Sequence, residues 1–111
     1  MASNIQHLLS APLKRSFRKM GANISLARKR RKFTIAMMLD RTGMAKQTYQ
    51  KIEKGDPTVA IAYYALVFSV LGEKDPFGNI LAPETDEVGL MLDVEKAPKR
   101  VRPPQKKGQV F

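Results

Sequence analysis

Lys46, Gln47, Gln50, Lys51 and Lys54 crowd into one short stretch of the chain. Their side chains suit recognition better than covalent chemistry. A glutamine amide offers the donor and acceptor pair that matches the adenine edge. A lysine ammonium donates to guanine O6 and N7 or to a phosphate oxygen. If the stretch is helical, Tyr49 and Ile52 point inward and the polar residues line the outer surface. The same polar row is also what an ordinary solvated helix presents, so residue types alone leave both readings open. Catalytic candidates are thin. His7 is the only histidine and lies near the chain start, where a solvated side chain is expected. Glu84, Asp86 and Glu87 form the densest acidic group, with no His or Cys near them in sequence. They read as a helix start favoured by the dipole. Gly72, Gly78 and Gly89 are scattered and build no phosphate loop. No catalytic residue, cofactor or metal ligand is expected.

The elements that must position that row follow from periodicity and caps. Leu13, Phe17, Met20, Ile24 and Ala27 recur at helical intervals, which predicts a first helix over 12–31. Pro12 sits in its first turn, where the missing N–H is harmless, and Gly21 marks a kink or boundary. Thr34 is a good N-cap for a second helix, 35–42, which Gly43 ends. A third helix runs from Lys46 to Lys54 and stops at Gly55, before the Asp56-Pro57 turn. Met37 and Met38 look like core filler within the second helix. A fourth helix over 60–71 is apolar all round. Ile61, Tyr64, Ala65, Phe68 and Leu71 would share one face, and Tyr63, Leu66, Val67 and Val70 the other. Such a helix needs cover on both sides, and a second copy of the chain is the simplest cover for the latter set. Asp75-Pro76 opens a short fifth helix to Leu81, and 84–95 forms a weaker candidate. Residues 1–11 read as a flexible start, 12–82 as the folded domain, and 83–111 as an extension with a basic tail.

Bulk properties narrow the class. A chain of 111 residues supports one domain. There are no cysteines, which excludes disulfides and suits a reducing, cytoplasmic setting. The start has no secretory pattern, and the apolar stretch 59–71 is too short to span a bilayer. Net charge is +10, and its distribution is uneven. Residues 14–32 hold nine Lys or Arg and no acid, 56–95 hold eight acids against one Lys, and 96–111 hold six basic residues. A polyanion would therefore meet one face and not another.

The span TIAMMLDRTGMAKQTYQKIEKG sets two short helices about a three-residue turn at helix-turn-helix spacing. Over 20–72 the chain resembles the Xre/Cro family of helix-turn-helix regulators. The resemblance rests on Ile24, Arg28, Thr34, Gly43, Ile52, Glu53-Lys54-Gly55 and Leu71-Gly72. It implies an all-α, five-helix, lambda-repressor-like domain with a basic C-terminal tail. It also implies a partly buried Arg28–Glu53 ion pair bracing the third helix. The lesser alternative is that Arg28 is one more phosphate-facing base in the run 28–32. The family pattern places Lys46, Gln47 and Lys51 at base edges and Thr34, Gln50 and Lys54 on the backbone, with Thr48 beside them in the DNA-binding set. This chain departs from the pattern at Ile35, where Gln is usual, at Ala45, where Ser is usual, and at Leu39, where Ala is usual. The segment GDPTVAIAYYALVFSVLG and the later APKRVR are similar to HipB-type antitoxins, which accompany HipA-type kinase toxins and repress their own operon as dimers.

The expectation is a homodimeric repressor on a palindromic operator in double-stranded DNA, with a kinase-type toxin partner and no membrane. Two other readings remain: an Xre-family regulator without a toxin partner, and a nonspecific nucleic-acid-binding protein acting through its basic ends.

Overall fold

A computed structural model describes residues 2–96 of the chain. They fold into five α-helices, with no strand among the described residues. The helices are α1 (Ala11–Arg30), α2 (Ile35–Thr42), α3 (Lys46–Glu53), α4 (Ile61–Val70) and α5 (Glu87–Lys96). A 3-10 helix, Ala2–Leu8, precedes α1, so the expected loose start is ordered into turns. The chain divides into two compact units between Pro76 and Phe77, short of the expected boundary at 82. The expected basic tail beyond Lys96 lies outside the described residues.

In the first unit, α1 packs on α3 and α2 packs on α4. Ser10 caps α1 by accepting from the Leu13 N–H at 3.3 Å, with Pro12 in the first turn. Thr34 caps α2, its Oγ1 accepting from the Met37 N–H at 3.0 Å. Gly43, at φ 74°, closes α2 in the left-handed conformation that glycine adopts without a Cβ penalty. The core is Ile24, Met38, Met44, Tyr49, Ile52, Tyr64, Val67 and Leu71. Met38 is fully buried but Met37 is 40% exposed, so only one of the two expected core methionines fills the core. Met37 instead turns its Sδ toward the Thr34 N–H at 3.3 Å, adding to the α2 cap.

Gly21 neither kinks nor ends α1, which runs through it as one helix. Its role is close approach: a Cβ there would lie 2.5 Å from the Gly55 nitrogen and 2.7 Å from the Glu53 carbonyl oxygen. Gly55, at φ 74°, in turn presses against the Phe17 carbonyl. The absent side chains let α1 meet the end of α3 backbone to backbone.

On α4 the buried positions are Tyr64 and Val67, with Phe68 partly covered and Leu71 buried just after the helix end. Val67 therefore cannot serve a dimer interface: it has no exposed surface and belongs to the chain's own core. Ile61, expected on the core side, is 66% exposed. A helix apolar on every side carries no periodic signal of its phase. The Tyr64 hydroxyl donates to the Asp56 carbonyl at 2.8 Å, and this contact helps set the rotation. Tyr63 and Leu66 remain outward, and Val70 is half-buried.

The expected helix over 75–81 does not form. The Ile80 N–H donates to the Phe77 carbonyl and the Ala82 N–H to the Asn79 carbonyl, which makes isolated turns. Gly78 and Asn79 are weak helix formers in a segment too short to offset nucleation. The weaker candidate over 84–95 does form a helix, α5, whose entry is fixed by Asp86 accepting from the Gly89 N–H at 2.9 Å. No α5 residue is buried. No helix among the described residues is long and apolar enough to cross a membrane.

Candidate nucleic-acid interface

The candidate surface is built on α3. Met44, buried in the three-residue turn 43–45, anchors the connection from α2. The Thr42 hydroxyl donates to the Met38 carbonyl at 2.7 Å and accepts from the Met44 N–H at 3.3 Å, tying that turn to the end of α2. Tyr49 and Ile52 are fully buried. Lys46, Gln47, Gln50, Lys51 and Lys54 are exposed and Thr48 is half-buried. The expected inward and outward residues of α3 thus fall on opposite sides. Thr34 is exposed at the start of α2, with its Oγ1 already used as the helix cap.

The brace behind this surface is a three-residue cluster. Arg28 donates from Nε to Glu53 Oε2 at 2.7 Å and from Nη2 to Oε1 at 3.3 Å. Its Nη1 donates to the Phe33 carbonyl at 3.0 Å, so one guanidinium joins α1, the α1–α2 link and α3. The Tyr49 hydroxyl donates to Glu53 Oε2 from one turn earlier on α3. Sequence reasoning missed this third member, although Tyr49 and Glu53 stand at the i, i+4 spacing that brings helical side chains together. Arg28, only 9% exposed, has its guanidinium engaged within this cluster.

Electrostatics follow from this geometry. Burial by itself would raise the Glu53 carboxyl, but the hydrogen bonds from Arg28 and Tyr49 outweigh it and hold the pKa below the usual glutamate range. Arg28 is raised, chiefly by its hydrogen bond to Glu53. Burial, then the Glu53 bond, pushes the Tyr49 hydroxyl well above its ordinary value. The single acid of α3 is thereby turned inward and neutralised, and the exposed side carries only cations and neutral polar groups.

Ala45 precedes α3 and supplies no side-chain cap. The first amides of α3 are left for solvent or for an anion, as at other helix N-termini. A groove lined by Ser25, Ile35, Tyr49, Gln50, Glu53 and Lys54 runs beside the exposed side of α3. Ser25 was not singled out by sequence reasoning; it lies near Glu53 and adds slightly to the lowering of its pKa. Lys29, Arg30, Arg31 and Lys32 are all exposed around the end of α1. Arg41 lies over the Phe33 ring, 4.4 Å from its centroid, and fixes a further cation near the α1–α2 link.

The chain matches no protein-family model, no curated protein and no solved structure.

Proposed function

We propose that this chain is a sequence-specific DNA-binding repressor of the Xre/Cro helix-turn-helix type. It acts as a homodimer on a palindromic operator. The observation that carries the reading is the two-sided character of α3. Its inner side is locked by Arg28, Tyr49 and Glu53, while Lys46, Gln47, Gln50, Lys51 and Lys54 stand exposed with no free acid among them. Such a helix can enter a major groove with side chains already oriented and without like-charge repulsion from DNA. Lys46, Gln47 and Lys51 contact base edges, and Thr34, Thr48, Gln50 and Lys54 hold the backbone.

The dimer uses the outward side of α4. Ile61, Tyr63 and Leu66 are 66%, 44% and 45% exposed there, with Val70 at the margin. Two copies then present α3 to half-sites about 10 base pairs apart, or a multiple of that. The test is binding of Lys46→Ala/Gln47→Ala to an operator and to scrambled duplex. Loss of preference for the operator supports the reading, and an unchanged preference shows that α3 is not the reader.

A role as the antitoxin and autorepressor of a HipA-like kinase toxin is proposed on a different observation. The unit after Pro76 places Val88, Leu90, Met91, Leu92 and Val94 on α5, all between 45% and 74% exposed. Monomeric proteins rarely leave so dense an apolar group open to water, which marks it as a place for a protein partner. Purification from the native host, with and without residues 96–111, tests this. A co-purifying kinase-like protein supports it, and no partner with either form removes the antitoxin role.

A further inference from the structure

The first half of α1 carries Lys14, Arg15, Arg18 and Lys19 and no acid. Lys14 and Arg18 stand at i and i+4 and share one side of the helix. Like charges at this spacing destabilise a helix. Lys14 and Arg15 also lie near the positive end of the helix dipole, where cations are unfavourable. No acid in the first turn offsets these penalties. The side of α1 that bears Lys14 and Arg18 opens on a cleft of about 260 Å³, whose walls are completed by Gln6 and the segment from Lys54 to Pro57. At the edge of the cleft, Gly55 packs against the backbone of Phe17 and Arg18.

Three cations meet one acid there. Asp56 Oδ1 is already engaged, accepting from the Thr58 N–H at 2.8 Å and the Thr58 hydroxyl at 2.6 Å. Among the described residues, no hydrogen bond or ion pair occupies the side chains of Lys14, Arg18 or Lys54. The backbone offers little to an anion. The Lys54, Gly55 and Asp56 N–H groups donate to carbonyls of α3, and Pro57 has none. An anion in this cleft would be held by side chains.

We propose that the cleft binds a phosphodiester group of the DNA backbone beside the groove that α3 enters, an inference that rests on the DNA-reading proposal above. Lys54 belongs both to the cleft and to the exposed row of α3. From Lys46 to Lys54 a helix rises ~12 Å, about the width of the major groove. A row of that length brings the cleft to the rim of the groove, where phosphates stand. The ligand chemistry is a phosphate oxyanion; continuity with α3 favours the duplex over a free phosphate.

The test is the salt dependence of duplex binding by Lys14→Ala/Arg18→Ala. The expected result is a slope of log affinity against log salt reduced by about 2, with relative preference among sequences unchanged. The charge-conserving Lys14→Arg/Arg18→Lys should keep the wild-type slope. An unchanged slope in the alanine variant, with a wild-type far-UV circular dichroism spectrum, overturns the proposal. If the wild-type chain binds no duplex, the DNA-reading proposal fails and this assignment falls with it. In that case, NMR shifts of Lys14, Arg18 and Lys54 on titration with inorganic phosphate would give the cleft to a free phosphate ligand.

Discussion

The two sides of α3 have the same backbone and opposite consequences. Toward the core, Tyr49 and Ile52 have no exposed surface and Glu53 is held by Arg28 and Tyr49. Toward solvent, Lys46, Gln47, Gln50, Lys51 and Lys54 are exposed. The inner side sets where the helix lies, and the outer side is left free to contact something outside the protein. Stability and recognition are therefore separable on this helix, and substitutions should sort by side.

The largest effect belongs to the inner side. Arg28→Ala leaves the Glu53 carboxylate buried without its cation and should lower stability by ~3 kcal/mol in denaturant unfolding. Tyr49→Phe keeps the ring in the core and removes one charge-assisted hydrogen bond, so the loss should be smaller, about 1.5 kcal/mol or more. If Arg28→Ala unfolds at the wild-type midpoint, the brace is not what positions α3.

Acid should act through the same cluster. Glu53 has a folded pKa below its unfolded value, so its contribution is present above the ordinary glutamate value of about 4.3. It is lost as pH falls from there through the folded pKa. Glu53→Gln should be less stable at neutral pH and should lose the part of the acid dependence that comes from this group. Equal slopes of stability against pH for wild type and variant between pH 5 and 2 would contradict the assignment.

Outer-side changes should leave the fold nearly untouched. Lys51→Ala should shift stability by less than ~0.5 kcal/mol while weakening duplex binding. A destabilisation as large as that of Arg28→Ala would erase the distinction between the two sides. The smallest effect is expected at the helix start, where Ala45 leaves α3 without a side-chain cap. Ala45→Ser should add about 1 kcal/mol or less of stability, read as a raised unfolding midpoint.

Local chemistry was the legible part of this chain. Thr34, Gly43 and Gly55 end and begin helices where their types predict, because capping depends on a few neighbouring atoms. The inward Tyr49 and Ile52 followed from helical spacing. The Arg28–Glu53 pair spans 25 positions and was legible only through family resemblance, since no local rule links those residues. The meeting of Gly21 with Gly55 was not legible, because a close approach depends on where the rest of the fold brings two segments together. The rotation of α4 was misread for Val67 and Ile61, since a helix apolar on every side gives periodicity nothing to report. The expected helix after Asp75-Pro76 is absent because its start signal is followed at once by Gly78 and Asn79, which local capping chemistry does not weigh. α5 shows the converse: five apolar residues in ten, and none buried, because burial requires a facing surface as well as apolar composition.

The central claim is that the exposed side of α3 reads base sequence. The most direct measurement is selection from a randomised duplex library at about 0.15 M salt, with wild type and Lys46→Ala/Gln47→Ala in parallel. The account predicts that wild type enriches a two-fold symmetric sequence bound ~10³-fold or more above random duplex, and that the double variant loses this enrichment. Equal binding to selected and random duplex by the wild-type chain would contradict it.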